Sequence, residues 1–484
     1  MSAPVALLID FGSTYTKLRA VDLTGGRLLA ASQAPSTVET DAALGFSEAL
    51  DALHRLLGEK TRFRYRLACS SAAGGLRLIA VGLVRELTAE AARRAALGAG
   101  AELIDTFAYE LTRKNADRIV RLEPDIILLA GGTDGGNSEV IVANARTLAD
   151  LPIRCPVLVA GNRSASHRIN DLLTDAGKPV LVTENVMPSY GVLNVEPARD
   201  KIRRIFINRI VKAKGIDRAR GTFDLVLMPT PAAVMEGARL LADGDGRRPG
   251  VGTLVVVDVG GATTDVHSIC TGESTLGSVS ADPLPEPRAK RTVEGDLGVR
   301  RSATSVLEAA GLEAVAADAG LPAVRVQSNV RALDAGQARL QDDIESRKVD
   351  HALARAAVRI AVGRHTGSVE AVRTVNGPAV VQRGKDLSDV DAVVGTGGAL
   401  TVSEHPEEIL EMALADSSDP FSLNPGRPRL MLDRKHVLYA CGLLAAVDPE
   451  AALTLALTQI RPFVRDCASP GSVVAADNLP ACRV

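Results

Sequence analysis

Val255-Val256-Val257-Asp258-Val259-Gly260-Gly261-Ala262-Thr263-Thr264-Asp265 is an apolar, β-branched run that ends in an aspartate and passes into two glycines, two threonines and a second aspartate. The run reads as a buried strand. The glycines let the backbone turn tightly and let a ligand approach the main chain. Backbone N–H groups and two hydroxyls then face an anion, most naturally a phosphate. Asp258, at the strand's end, suits Mg²⁺ or its water shell, because Mg²⁺ prefers carboxylate, water and phosphate oxygens. For a single loop of this kind, a plain turn after a strand is the commoner meaning.

This loop has partners. Ala6-Leu7-Leu8-Ile9-Asp10-Phe11-Gly12-Ser13-Thr14-Tyr15-Thr16-Lys17 is again an apolar strand ending in Asp, followed by Gly, hydroxyls and a Lys. Val393-Val394-Gly395-Thr396-Gly397-Gly398-Ala399 is a third strand-to-glycine loop. Three such loops in this order resemble the ATPase superfamily of actin, Hsp70 and sugar kinases. The resemblance implies an α/β protein with two ribonuclease-H-like ATPase lobes. It implies that Asp10 and Asp258 hold Mg²⁺ as metal-binding and catalytic residues. Gly12, Ser13, Thr14, Thr16 and Lys17 would bind ATP phosphates from one lobe, and Gly260, Gly261, Ala262, Thr263, Thr264 and Asp265 from the other. Gly395, Thr396, Gly397 and Gly398 would lie on the adenosine.

At 484 residues the chain has room for two or three domains. Lys and Arg number 56 against 58 Asp and Glu, so nothing predicts broad attraction to nucleic acid or membrane. Aromatic residues make up 3% with no Trp, which argues against a base-stacking surface. The six cysteines are scattered without a CxxC pair and read as reduced thiols of a cytoplasmic protein, with no metal or disulfide framework. The first residues enter a strand with no basic n-region, and no run of about 18 apolar residues occurs, so neither a signal peptide nor a membrane span is expected.

Along the chain, Val5–Asp10, Thr16–Asp22 and Arg27–Gln33 read as strands joined by short turns, Phe46–Leu57 as a helix, and Tyr65–Cys69 and Leu76–Val84 as fourth and fifth strands of a first lobe, residues 1–87. Residues 88–214 alternate helix and strand, the pattern of βαβ units on a parallel sheet, and are expected to form an inserted α/β domain. Its Gly131–Gly136 loop follows strand Ile126–Ala130, where such sheets put ligands, although a tight turn reads equally well. The basic helix Ala198–Lys214 reads as a solvated face or as a surface for an acidic partner. Residues 215–250 read as a helical connection, 251–465 as the second lobe and 466–484 as a loosely held tail. In the second lobe, Thr292-Val293-Glu294-Gly295-Asp296-Leu297-Gly298 resembles the superfamily's glycine-led helix start near ribose and phosphate. Gly295 and Asp296 would bind nucleotide there. Glu294 could orient the attacking water or cap the helix, and Arg300 could reach phosphate.

The chain as a whole resembles the glutamate mutase accessory family called GlmL or MutL. The match is carried by Leu8–Thr14, Ser70–Leu76, Leu129–Asn137, Asp258–Asp265 and Thr292–Gly298. It implies an ATP-dependent protein that reactivates or chaperones an adenosylcobalamin-dependent mutase. Cobalamin need not touch it, and no Asp-x-His-x-x-Gly cobalt-ligating motif occurs. The competing class is a small-molecule kinase of the same fold; it would need a catalytic base beside an acceptor-sugar pocket, for which the sequence offers no clear candidate, Asp134 and Asp265 being the residues left open. An actin-like polymer fits the large insert poorly. A P-loop NTPase is disfavoured because no GxxxxGK[ST] occurs.

Overall fold

The computed structural model describes residues 4–12, 14–37, 42–58, 61–71, 76–96, 99–213, 225–274, 279–280, 286–334, 343–374, 377–465 and 473–475. Ser13, residues 72–75 of the Ser70–Leu76 stretch, the proline-rich 281–285 and nearly all of the 466–484 tail lie outside them. The chain divides into two compact units, Met1–Thr24 with Leu28–Val234, and Gly25–Arg27 with Met235–Val484.

The first unit is built from β1 (Val5–Phe11), β2 (Tyr15–Asp22), β3 (Arg27–Pro35), α1 (Ala42–Leu57), β4 (Phe63–Ser70), β5 (Leu76–Gly82), α2 (Arg85–Ala96), β6 (Ala101–Ala108), α3 (Arg113–Leu122), β7 (Ile126–Leu129), α4 (Glu139–Asp150), β8 (Val157–Val159), α5 (Ser166–Asp175), β9 (Val180–Val182), α6 (Glu196–Ala213) and β10 (Leu225–Pro229). One sheet has the order β10-β4-β1-β2-β3, with β1 antiparallel to β2, parallel to β4, and β4 parallel to β10. This is the ribonuclease-H-like order. Ile9, Phe11 and Leu18 share a core with Phe46, Ala49 and Leu53 of α1.

The other sheet of this unit is wholly parallel, in the order β6-β5-β7-β8-β9. Counted along the chain that order is 2-1-3-4-5, a doubly wound arrangement. Leu78, Ala80, Ile126 and Leu128 share a core with Ala92 of α2 and Ile202 and Phe206 of α6. Ile79, Val81, Ile127 and Leu129 share another with Ile119, Ile141, Leu148 and Leu173 of α3, α4 and α5. Both faces are covered, which is why these strands read as continuous apolar runs. One expectation is corrected. Leu76–Val84 was assigned to the first lobe's sheet; β5 instead pairs with β6 and β7, and the position beside β4 belongs to β10. An apolar run that is buried on both faces carries no mark of which sheet receives it.

Helix α7 (Thr230–Asp243) starts in the first unit and ends in the second. The second unit contains β11 (Leu254–Val259), β12 (Thr264–Ile269), β13 (Val279–Ser280), β14 (Ala289–Glu294), α8 (Ala303–Ala310), α9 (Leu312–Ala319), α10 (Ala323–Asp334), α11 (Ile344–His365), β15 (Ser368–Thr374), β16 (Gly377–Arg383), β17 (Ala392–Thr396), α12 (Gly398–Val402), α13 (Pro406–Leu410), β18 (Arg429–Leu432), α14 (Leu438–Ala445), α15 (Pro449–Gln459), β19 (Arg461–Arg465) and β20 (Val473–Ala475). Its main sheet runs β14-β12-β11-β17-β18-β19-β20, and β13, β16 and β15 form a smaller one. β11 is antiparallel to β12 and parallel to β17, β12 is antiparallel to β14, and β17 is parallel to β18. The strand order of the first unit's ribonuclease-H-like sheet therefore recurs, although the sequence shows no repeat. The chain is an α/β protein with two such sheets and an inserted doubly wound sheet. Val255, Val257, Val259 and Val266 pack with Leu353, Ala357 and Val358 of α11.

Two further expectations change. Glu294 ends a strand, and the next helix starts only at Ala303, so the glycine-led helix start at Thr292–Gly298 is absent. Helix α15 was not anticipated, although the sequence carries its start signal: Asp448 caps it by accepting from Ala451 N–H, and Pro449 follows. Among the described residues no helix is long and apolar enough to cross a membrane.

Leu353 is fully buried in the α11 core. Leu353→Ala should destabilise the second unit by about 2–5 kcal/mol, since the side chain's transfer energy is lost and a cavity is left. Denaturant unfolding of the variant checks this; a change below about 1 kcal/mol would show that α11 is not the packing centre assigned to it.

Candidate functional site

In the first unit β1 carries Asp10 to its end, where Gly12 N–H donates to Tyr15 C=O at 3.1 Å and the chain returns as β2. A Cβ on Gly12 would lie 2.6 Å from that carbonyl oxygen, so the turn excludes any larger residue. The register sets one row across the sheet: Lys17 on β2, Asp10 on β1, Cys69 on β4 and Met228 on β10. Asp10 is only 2% exposed. Its Oδ1 accepts from Thr230 Oγ1 at 2.6 Å and from Cys69 Sγ at 3.7 Å, and Oδ2 lies 3.6 Å from Lys17 Nζ. Burial, and then the Asp10 charge, pushes the Cys69 thiol well above its usual pKa, so it stays protonated and can donate. Thr14 is exposed beside the turn and Thr16 is buried on β2, its hydroxyl without a hydrogen-bond partner. Ser70 Oγ and Ser71 N–H both donate to the Phe11 carbonyl, tying the end of β4 to this loop.

In the second unit the same turn recurs: Gly260 N–H donates to Thr263 C=O at 2.9 Å, two residues after Asp258. Asp258 stands directly opposite Asp265 on β12 and beside Thr396 on β17. Two carboxylates facing each other across strands repel. Asp265 is met by Arg291, whose Nε and Nη2 donate to Oδ1 at 2.9 and 2.5 Å, and by Thr263 Oγ1 at 3.1 Å. Gly261 C=O accepts from the N–H groups of Arg300 and Arg301, Ser302 Oγ donates to Ala262 C=O, and Thr264 Oγ1 to Leu297 C=O, so the segment after Gly295 is laced to the loop.

Glu294 and Asp296 share one cation. Arg364 of α11 donates to Glu294 Oε2 at 2.7 Å and to Asp296 Oδ1 at 2.9 Å. The bond to Arg364 holds the Asp296 carboxyl below its usual pKa, and the two carboxylates, Asp296 first, raise that of Arg364. Glu294 is therefore not a helix cap. Arg300 forks onto Asp350, so in this conformation its guanidinium is committed within the protein.

The third loop ends β17. Gly397 has φ +95°, and a Cβ there would lie 2.6 Å from Asp258 Oδ1 and 2.4 Å from Val259 O, so this glycine is what lets the loop close on Asp258. Thr396 Oγ1 donates to the buried Asp433 at 3.4 Å, and the Asp433 carboxylate accepts the Val437 and Leu438 N–H groups at the start of α14. Gly395 is buried and Gly398 exposed. The insert's Gly131–Gly136 loop lies beyond β7, next to β5, where the strand order reverses. The buried Asn162 and Asn185 hold its carbonyls, and Asp134 accepts from Arg163 N–H and Asn185 Nδ2.

The structure brings Asp10, Gly12 and Lys17 together, and Asp258, Gly260, Asp265 and Thr396 together. Sequence reading set Thr396 on the adenosine instead and did not single out Cys69, Thr230 or Arg364 as site residues. For Thr230 a signal existed: Leu225–Met228 is an apolar strand and Thr230-Pro231 a helix start.

The family model described as MutL protein matches residues 6–460. "Protein MutL" of Clostridium tetanomorphum is 46% identical over 450 residues, 93% of this chain and 97% of that protein. Among solved structures, a glycerol dehydratase reactivase aligns over 92% of this chain and 99% of its own at 11% identity and TM-score 0.34. Xylulose kinase from Bifidobacterium adolescentis aligns over 98% and 96% at 13% identity and TM-score 0.32. The sequence matches are the ones that define the relationship.

Two histidines behind the second loop make stability pH-dependent. Burial, and next Arg291, lowers the pKa of His267 to about 3 against the opposing pull of Asp265. His365, held between Thr292 Oγ1 and Ser268 Oγ, is lowered well below its usual value by burial, with Lys290, Lys385 and His267 adding. A histidine whose folded pKa lies below its unfolded value near 6.5 costs stability as pH falls through 6.5, because the unfolded chain takes up the proton first; for His267 the loss stops near pH 3. The unfolding constant should rise by up to about tenfold per pH unit for each histidine between about pH 6 and 4. His267→Gln should flatten that slope in equilibrium unfolding, and a slope equal to wild type would contradict the assignment.

Proposed function

The chain belongs to the MutL protein family, and on that premise we propose that it is a cytoplasmic ATP-binding and ATP-hydrolysing accessory protein that reactivates or chaperones an adenosylcobalamin-dependent mutase. The observation that carries the ATP reading is the twin turn: in each unit an aspartate ends a strand, and a glycine two residues on closes the loop by donating to the carbonyl three residues ahead. The client reading rests on the family resemblance.

The residues fit Mg²⁺. Among the described residues no three His, Cys, Asp or Glu side chains gather as a metal cage. Mg²⁺ suits the opposite arrangement, one or two carboxylates completed by water and phosphate oxygens. Asp10 and Asp258 would hold it, and a cation beside Asp258 would ease the repulsion from Asp265. When bound, Mg²⁺ neutralises charge that develops on the phosphates. Lys17, the Gly12–Thr16 loop and the Gly260–Thr264 loop orient those phosphates by N–H, hydroxyl and ammonium donors. Gly395–Gly398 lines the nucleoside, with Gly295 and Asp296 contributing. Glu294, one oxygen fixed by Arg364, orders the attacking water with the other. Nucleotide state then shifts the affinity of a protein surface for its client, so a damaged cobalamin that leaves slowly on its own can be exchanged.

Mg-ATP should raise the melting temperature, as any ligand selective for the native state does. Asp10→Asn or Asp258→Asn should cut hydrolysis by roughly 10²-fold or more while the protein still folds; normal turnover in both would refute their assignment. A mutase stalled with damaged cobalamin should regain activity with this protein, ATP, Mg²⁺ and fresh adenosylcobalamin, and not without ATP. Equal recovery without nucleotide would end the coupling, and phosphate transferred to a small acceptor would point to a kinase.

A further inference from the structure

We infer that Thr230, a residue outside all three glycine loops, is the positioning residue that aims the Asp10 carboxylate. The inference deepens the nucleotide reading above and rests on it. Asp10 sits at the end of a fully buried strand, and its two oxygens are held differently. Oδ1 is held from behind, by the Thr230 hydroxyl at 2.6 Å and the Cys69 thiol at 3.7 Å. Oδ2 lies on the side of Gly12 and Lys17, about where a Cβ on Gly12 would be 3.6 Å away. A short O–H···O⁻ bond is strong and directional, whereas a thiol donor is weak. The hydroxyl is therefore the group that fixes the carboxylate's rotation and leaves Oδ2 presented to the loop.

Thr230 is itself rigidly placed. β10 runs parallel to β4, with Met228 beside Cys69 and Pro229 beside Ser70, so the next residue emerges just past the Lys17–Asp10–Cys69 row. Helix α7 begins at Thr230, and Pro231 follows in its first turn, which fixes φ there. The duplicated sheet shows that this is not a generic consequence of the topology. At the matching place in the second unit, beyond β18, stands Asp433, which bonds Thr396 and the start of α14. In the first unit the residue after the fifth strand is a hydroxyl that donates to the aspartate of the first, whereas Asp433 is a carboxylate that accepts from Thr396, Val437 and Leu438.

The test compares Thr230→Val, which keeps shape and loses the donor, with Thr230→Ser, which keeps the donor. Thermal shift is read with ADP alone and with ADP across a Mg²⁺ titration, alongside Mg²⁺ dependence of hydrolysis. Thr230→Val should raise the Mg²⁺ concentration for half-maximal stabilisation about tenfold, as expected for loss of one hydrogen bond to a charged group. Thr230→Ser should restore it to near wild type. The ligand-free melting temperature separates a purely structural role, since a Thr230→Val protein that melts lower with unchanged Mg²⁺ dependence overturns the inference. If wild type responds to Mg-ADP and Thr230→Val responds identically, the positioning role alone fails. If wild type shows no response to nucleotide with or without Mg²⁺, the nucleotide reading fails first and takes the role of Thr230 with it.

Discussion

The hydrogen bond from Gly12 N–H to the Tyr15 carbonyl, and its counterpart from Gly260 to Thr263, is the constraint on which the rest of the candidate site depends. Each bond reverses the chain within a few residues of an aspartate. The returning strand is thereby locked antiparallel beside the one just left, in a register that fixes which side chain faces that aspartate. In the first unit the opposite residue is Lys17; in the second it is Asp265. The same turn on the same sheet order therefore yields two electrostatically different strand ends, one with a cation opposite the aspartate and one with a second carboxylate.

The protein satisfies these charges by different routes. Asp10 is buried and tied by a lysine, a hydroxyl and a thiol. Asp265 is covered by Arg291, and Glu294 and Asp296 share Arg364. Helix α11 delivers Arg364, His365 and Asp350 to the neighbourhood of the second loop while its apolar side packs with the valines of β11 and β12. Packing and site electrostatics are thus coupled through one helix, so a defect in the α11 core should disturb the clamp on Glu294 as well.

The insert follows a separate logic. Its five parallel strands are covered by helices on both sides, and its glycine loop falls where strand order reverses. Three buried asparagines, Asn144, Asn162 and Asn185, brace the loops at the carboxyl ends of these strands by bonding main-chain groups. The sequence marked the insert by its alternation of helix and strand, but β5 was assigned to the wrong sheet because a run buried on both faces has no periodicity to orient it.

The sequence by itself determined the elements whose information is local. Apolar runs ending in Asp-x-Gly gave the strands and turns at Asp10 and Asp258, and helical spacing gave α1, because hydrophobic period and glycine freedom act within a few residues. Family membership was equally legible, in motifs spread from Leu8 to Gly298. Tertiary structure alone decided what meets across the sheets. Thr230 reaches Asp10 from 220 positions away, Arg364 reaches Glu294 from 70, and Cys69 joins the row because β4 lies parallel to β1. Strand partners are chosen by burial of whole faces, a property of the assembled sheet, so a local signal such as the helix start at Thr230 does not say which distant aspartate the residue will meet.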